Sequence, residues 1–390
     1  MSVAAATGPR TILYLHSSAG RYGADRQLTA IVGGLDPAAY RALVVLAEEG
    51  PLVDDLRAAG ADVLVRPLAV LRREVMSAGG LVGLARACGA DARALTRIAR
   101  DNDVRLVHTN TSVTLGGAAV ARSTGLPHVW HVREIYAGFA RAWPGLRRLL
   151  QTADALPCVS EAVRAQFAGT ARADRATVLH DGLGAAPPPV PRAEARRTLG
   201  LADDAFVVAV LGRISPWKGQ RLLVEALAAP SLRHADDVVA LVAGEAWRRA
   251  PGPVRELRDR ATALGVGRRL LTPGFVEPVG LVYGAADVVV VPSTDPDPLP
   301  NAALEAAAAG CCVVAADHGG LPEILDAGRL GVLVPPGDAG ALADAVAALR
   351  SDPLRRAALA TAAGEATPRR FSGARMAGRI DDLYRSLLDR

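Results

Sequence analysis

The feature that most restricts how this chain can fold is an alternation of two kinds of segment. Short runs rich in branched apolar residues occur at 11–15 (TILYL), 42–46 (ALVVL), 62–65 (DVLV), 105–108 (RLVH) and 128–132 (HVWHV), with longer Ala-, Leu- and Arg-rich stretches between them. The pattern resumes at 206–211 (FVVAVL), 238–242 (VVALV), 270–272 (LLT), 288–291 (VVVV), 312–315 (CVVA) and 331–334 (GVLV). Strands that are apolar on both faces belong inside a sheet covered on both sides, and such sheets are parallel with crossover helices. The intervening stretches carry helical spacing, as at Leu222, Leu223, Ala226 and Leu227. The chain therefore reads as α/β.

The alternation breaks once. Residues 182–192 read GLGAAPPPVPR, a Pro- and Gly-rich stretch with the stiffness of a linker. This places an N-terminal Rossmann-like domain at 1–182, a linker at 183–192 and a second Rossmann-like domain at 193–368. Beyond Pro368, the amphipathic stretch 374–390 reads as one helix, and the segment 369–390 is expected to pack back on the first domain. Two doubly wound parallel-sheet domains facing across a cleft would bring the carboxyl ends of both sheets to one place, where ligands of open α/β sheets bind. Site residues are then expected in loops that follow strands.

Composition excludes several functions. Half of the 390 residues are hydrophobic and 22% are charged, which rules out a largely disordered chain. A net charge of +5 suits an anionic ligand but is too small over this length to mark a nucleic-acid binder. Aromatic residues, at 4%, are too sparse for base-stacking platforms. Cys88, Cys158, Cys311 and Cys312 form no CxxC pair and read as small buried residues in a reducing compartment. The opening MSVAAATGPR lacks the basic start and apolar run of a signal peptide, and no apolar stretch reaches the roughly 18–20 residues that span a bilayer. A cytoplasmic globular protein is expected.

Two constellations carry chemistry. The strand at 206–211 runs into Gly212-Arg213-Ile214-Ser215-Pro216-Trp217-Lys218-Gly219, with a helix expected from about Gly219. A glycine, two cations and a helix N-terminus after one strand suit a phosphate group; the plain alternative is a solvated loop. A Walker loop is absent, and no strand leads into G-x-G-x-x-G. The second constellation is PSTDPDPLPNAALEAAAAGCC at 292–312. A helix from about Asn301 to Ala309 would carry Glu305, whose carboxylate can accept a ribose diol, while Asp297 in the preceding loop can accept sugar hydroxyls. The free N–H groups around Leu299 and Asn301 can hold a diphosphate. The alternative for Glu305 is an acidic residue that only complements the helix dipole. Asp295-Pro296-Asp297 imitates a DxD metal motif, but Asp297 already has another use, and no metal is expected.

In this order, these motifs resemble those of the family 4 retaining glycosyltransferases of the GT-B fold, and the resemblance spans nearly the whole chain. The family's phosphate clamp matches Gly212-Arg213 and Lys218-Gly219, and its E-x7-E motif matches Asp297 to Glu305, with Asp in the first acidic position. The segment containing Phe275, Val276 and Tyr283 is similar to the family's nucleobase side, and Gly319-Gly320-Leu321-Pro322-Glu323 matches its follow-on loop. Tyr22-Gly23-Ala24-Asp25 is similar to the glycine loop after the first strand, Trp130-His131-Val132-Arg133-Glu134 to the segment bearing the cleft histidine, and Asp181-Gly182 to the crossing between domains.

The resemblance implies a retaining, metal-independent enzyme that moves a sugar from a UDP- or GDP-type donor to a glycan, lipid-linked or small-molecule acceptor. It implies no cofactor and no nucleic-acid partner. Arg213 and Lys218 would stabilise the leaving diphosphate, Glu305 would hold the ribose, Asp297 the transferred sugar, and His131 would hydrogen-bond on the sugar side. Gly23, Gly212, Phe275, Val276, Leu299, Pro300 and Asn301 would line the donor. His16 has a weaker case, and Asp25 is read as a cap for a helix starting near Arg26. Acceptor loops are expected at 76–84 and 109–117. Residues 138–150 mix aromatics with arginines; a solvated face is favoured there over docking on an anionic membrane. A GT-B-like nucleotide-sugar epimerase and a non-catalytic nucleotide-binding scaffold subunit are the alternatives.

Overall fold

A computed structural model describes residues 8–72, 78–184, 187–246 and 252–390. The chain divides into two compact units, Met1–Gly184 with Gly373–Arg390, and Ala185–Ser372.

In the first unit, strands β1 (Arg10–His16), β2 (Tyr40–Leu46), β3 (Asp62–Val65), β4 (Val104–Thr109) and β5 (His128–Trp130) form a parallel sheet in the order β3-β2-β1-β4-β5. A separate parallel pair, β6 (Leu156–Cys158) and β7 (Ala176–Val178), is bridged to β5 and its extension, Ala155 to Val129 and Cys158 to Val132. The pair escapes the sequence pattern because its strands are short and Pro157 interrupts one of them.

Each face of the sheet has its own core. On one face, Ile12, Tyr14, Leu28, Ile31, Val44 and Leu46 pack with Met376, Ile380, Tyr384 and Leu387 of the C-terminal helix Gly373–Leu388. On the other, Leu13, Leu15, Leu43 and Val45 pack with Leu95 and Ala99 of the helix Ala78–Asp101. The helix Gly373–Leu388 is amphipathic with apolar residues at Met376, Ile380, Tyr384 and Leu387, so one stripe can be buried. Of the expected acceptor loop 76–84, residues 78–84 are the start of a long helix, while 76 and 77 lie outside the described residues. The Ala- and Leu-rich sequence there extends the helical period further than the glycines at 79 and 80 imply.

In the second unit, β8 (Phe206–Leu211), β9 (Val238–Ala243), β10 (Leu270–Gly274), β11 (Val288–Val291), β12 (Val313–Ala316) and β13 (Val332–Val334) form a parallel sheet in the order β10-β9-β8-β11-β12-β13. The helices Gln220–Leu227 and Ala339–Ser351 bury Leu223, Leu227, Leu342 and Val346 against it. Arg192, which closes the Pro-rich stretch in the sequence, opens the helix Arg192–Leu199. Pro368 sits inside the helix Pro353–Arg370, and the break that precedes the C-terminal helix falls after Arg370.

In each sheet the winding reverses once: between β1 and β4 in the first unit, and between β8 and β11 in the second. At such a reversal the crossover helices leave toward opposite faces and open a crevice at the strands' carboxyl ends.

Residues 138–150 form two short helices, Phe139–Ala142 and Pro144–Leu150. Phe139 is buried, stacked on Tyr136 at 4.8 Å and edge-on to Phe167, and Arg147 donates to the carbonyls of Gln166 and Ala168. Part of this segment's apolar surface is therefore core.

Candidate functional site

The second unit's site begins where β8 ends. Gly212 follows with φ 128°, and Ile214 is buried, its N–H donating to the Glu245 carbonyl (3.0 Å). A single turn, Pro216–Lys218, leads to Gly219 and the helix Gln220–Leu227. Gly219 has φ 76°, and a Cβ there would lie 1.8 Å from the carbonyl oxygen of Pro292, which follows β11. Only glycine fits this place. Thr294 N–H donates to the Trp217 carbonyl (2.8 Å), and Gln220 Nε2 to the Arg213 carbonyl (3.0 Å), so the loops after β8 and β11 are built against each other.

That contact brings two of the expected residues together. Lys218 Nζ lies 2.5 Å from Asp297 Oδ2 and 4.3 Å from the centre of the Trp217 ring. Asp297 is buried, and its carbonyl accepts the Gly320 N–H (2.9 Å). Gly319 has φ 62°, and a Cβ on it would come within 2.2 Å of the Asp297 carbonyl oxygen, so the loop after β12 also supports Asp297. Asp295, by contrast, is exposed. Among the described residues, no three His, Cys, Asp or Glu side chains gather as a metal-ligand set.

The helix Asn301–Ala308 follows Pro300, whose ring cannot cap it, and Leu299 beside it is buried. Its first-turn N–H groups lead into the loop that carries Asp297. Glu305 is buried within this helix and accepts a hydrogen bond from the Tyr283 hydroxyl (3.1 Å). Arg213 is half-buried after β8. Phe275 and Val276 follow β10, farther along the sheet; Phe275 is 69% exposed, an unusual state for a large aromatic.

The strand ends of the first unit carry a dense buried polar cluster. Asp25 lies in the first turn of the helix Gly23–Gly34, which Gly23 opens. The helix thus starts earlier than the sequence reading near Arg26. The Asp25 carboxylate accepts the Tyr22 N–H (2.9 Å), so it caps the helix from inside it. It also meets His16 Nε2 (2.8 Å) and the Ser18 hydroxyl (2.5 Å). Burial pushes its pKa up, but these partners outweigh burial and hold it below the usual range.

Arg133 is buried, donating to Asp181 Oδ1 (2.6 Å) and Asn110 Oδ1 (3.2 Å). Glu134 accepts from Ser112, whose hydroxyl also meets Tyr136 (2.7 Å), and burial raises its pKa. His131 is wholly enclosed, its ring 5.5 Å from that of His108. Burial, then Arg133 and His108, push its pKa far down, so it is neutral. His108 Nδ1 meets the Tyr384 hydroxyl at 2.6 Å, which in turn meets the Tyr14 hydroxyl at 2.9 Å.

Several partners were not legible. Arg133 and Asp181 stand 48 positions apart and Tyr283 and Glu305 22 apart, and no local spacing links either pair.

The profile of glycosyltransferase family 4 matches residues 23–184, and that of glycosyl transferases group 1 matches residues 205–352. A D-inositol 3-phosphate glycosyltransferase from Catenulispora acidiphila is 33% identical over 337 residues, covering 78% of this chain and 77% of that protein. The chain belongs to glycosyltransferase family 4.

Other family 4 members match over shorter spans. The D-inositol 3-phosphate glycosyltransferase of Saccharomonospora viridis is 41% identical over 207 residues, 51% of this chain and 47% of that protein. The chain spans about half the length of the first of these curated relatives. A GDP-mannose-dependent phosphatidylinositol monomannoside mannosyltransferase from Mycolicibacterium smegmatis is 36% identical over 231 residues, 56% of this chain and 58% of that protein. Among solved structures, Anabaena HepE in complex with UDP superposes with a TM-score of 0.82 at 27% identity, covering 97% of this chain and all of that one. The family 4 chain thus has the α/β GT-B fold class, with a parallel doubly wound sheet in each unit.

Proposed function

We propose that this family 4 protein is a retaining glycosyltransferase that moves a sugar from a nucleoside diphosphate sugar to an acceptor hydroxyl. The observation that carries the reading is the meeting of Lys218 and Asp297 at 2.5 Å where the second sheet reverses its winding. A cation for a phosphate and an acid for sugar hydroxyls stand side by side there. Two further findings support it: HepE is crystallised with UDP and with UDP-glucose, and the Mycolicibacterium relative is named for a GDP-mannose donor.

The reaction joins the acceptor oxygen to the anomeric carbon and breaks the bond from that carbon to the donor's phosphate oxygen. The bonding pair leaves with the diphosphate, and the acceptor proton passes to a departing phosphate oxygen on the same face. Negative charge grows on the diphosphate, so Arg213, Lys218 and the N–H groups of Leu299 and Asn301, beside Pro300, lower the barrier by stabilising it. These fixed cations do the electrostatic work, and the reading needs no metal ion and no further cofactor. Glu305 holds the ribose, Asp297 the sugar, and Phe275 and Val276 the base, with Gly212 giving the diphosphate room to approach the backbone. Gly23 lines the donor, and loops of the first unit serve the acceptor.

Acceptors of the inositol phosphate and phosphatidylinositol type, taken from the relatives' names, head the candidates, ahead of other glycans and small metabolites. The test is a screen of UDP- and GDP-sugars against these acceptors, read by mass spectrometry. A glycosylated product with retained anomeric configuration, formed in the presence of EDTA, is expected. A donor epimerised without acceptor, or nucleotide bound without turnover, would replace this reading.

A further inference from the structure

The Pro-rich segment that opens the second unit and the carboxylate of Glu305 are joined through one helix, Gly280–Ala285. The carbonyl oxygen of Pro188 lies 2.2 Å from where a Cβ on Gly280 would stand, and that of Val190 lies 1.9 Å from one on Gly284. Val190 N–H donates to the Gly280 carbonyl (2.9 Å). The segment can lie this close only because both helix positions lack side chains. The far end of the helix is held by buried Arg196, which donates to the Ala285 carbonyl (3.3 Å) and to Asp287 Oδ2 (2.8 Å). The same Asp287 oxygen accepts the Val207 N–H of β8 (2.8 Å), tying the helix to the central strand. Between these fixings sits Tyr283, 3% exposed, its hydroxyl on Glu305 Oε2.

We infer that Tyr283 is a positioning residue for donor recognition, and that residues 188–190 set its place by seating the helix. The inference rests on the reading of Glu305 as the acceptor of the ribose diol. A carboxylate must present both oxygens in one plane to take two vicinal hydroxyls, and its terminal torsion is otherwise broad. A phenol that donates to one of those oxygens in a buried setting fixes the plane before the ligand arrives. The linker then does more than connect: a shift of its backbone against Gly284 moves Tyr283, and with it the plane of Glu305.

The test is calorimetry on the full chain with UDP, GDP and their 2′,3′-dideoxy counterparts. Tyr283→Phe is expected to weaken binding of the preferred nucleoside diphosphate about tenfold, the order of one hydrogen bond to a charged group. Its affinity for the dideoxy form should stay at the wild-type value. Gly284→Ala is expected to show the same selective loss, and if it does not fold, Tyr283→Phe decides alone. Equal losses for ribose and dideoxy forms would make Tyr283 a merely structural residue and overturn the inference. So would wild-type affinity in Tyr283→Phe alongside a selective loss in Glu305→Gln. If Glu305→Gln binds both forms as wild type does, or if the wild type binds neither UDP nor GDP, the underlying reading of Glu305 falls and the inference falls with it.

Discussion

Lys218 and Asp297 stand 79 positions apart in sequence, yet their charged atoms lie 2.5 Å from each other. The cation proposed for the diphosphate is thus partly neutralised by the acid proposed for the sugar until a donor enters. Asp297→Asn removes that neutralising charge while keeping size. UDP or GDP affinity should hold or rise in this variant while turnover drops sharply, because the sugar loses its acidic contact. Calorimetry beside a turnover assay separates the two effects, and a weaker nucleotide affinity would mean that Asp297 mainly orients Lys218.

Arg213→Ala and Lys218→Ala should each reduce kcat by about 10²–10³, the range seen when one donor to a developing oxyanion is lost. Far-ultraviolet circular dichroism should report an unchanged fold in Arg213→Ala, whose residue is half-buried. Near-normal turnover in both variants would remove the phosphate clamp from the mechanism.

Two glycines separate backbone strain from steric contact. Gly337 has φ 76° and nothing within 4 Å of where a methyl group would stand, whereas Gly319 has φ 62° and the Asp297 carbonyl 2.2 Å from the corresponding point. Gly337→Ala should cost only the left-handed penalty of about 1–2 kcal/mol. Gly319→Ala should cost clearly more and should also depress nucleotide-sugar turnover by pushing Asp297. Equal melting shifts in the two variants would refute the close approach.

Acid should destabilise the first unit. Burial lowers the pKa of His108 to about 3 and that of His128 to about 4, and pushes His131 well down as well. In the unfolded chain these groups bind protons near pH 6.5. Their contribution to stability is therefore complete above about pH 6.5 and is lost as the pH falls toward the folded values, where only the unfolded chain has taken up protons. Burial raises Glu134 and Asp181, which oppose this trend, so the comparison has to be made within one site. Denaturant melts of wild type and His128→Gln between pH 6 and 5 should differ in slope by about 1 kcal/mol per pH unit. Parallel slopes would contradict a neutral, buried His128.

Tyr384→Phe removes the hydroxyl that bonds both His108 and Tyr14. With His108 left unpartnered on that side, the loss should be about 1–3 kcal/mol. Hydrogen exchange should show it as faster opening of Gly373–Leu388, and unchanged protection there would argue against the hydroxyl as a fastening.

Much of the architecture was legible because parallel strands must be apolar on both faces, which leaves runs such as VVVV at Val288–Val291 in plain view. Arg213 and Lys218 could be singled out because both follow one strand, five positions apart, and Glu305 because it stands eight positions after Asp297. What stayed hidden depends on contacts across sequence. Cys158 and Val178 belong to strands too short to show a period. Arg133 finds Asn110 only after β4 and β5 lie side by side, and Asp181 only once the β6–β7 pair is set beside β5. The Gly319-Gly320 pair looks like a turn signal, but what requires Gly319 is the Asp297 carbonyl behind it. Tyr283 could be assigned to the nucleobase side by resemblance alone, whereas its hydroxyl belongs to Glu305.

The helix Gly373–Leu388 completes the core of the first unit, yet the ribosome makes it after every residue of the second. At cellular elongation rates of roughly 5–20 residues per second, the early strands wait on the order of tens of seconds for their last covering. The later-made unit, continuous in sequence, can close first, so a nascent chain carries Ile31 and its neighbours without the cover of Met376, Ile380 and Tyr384 through that interval.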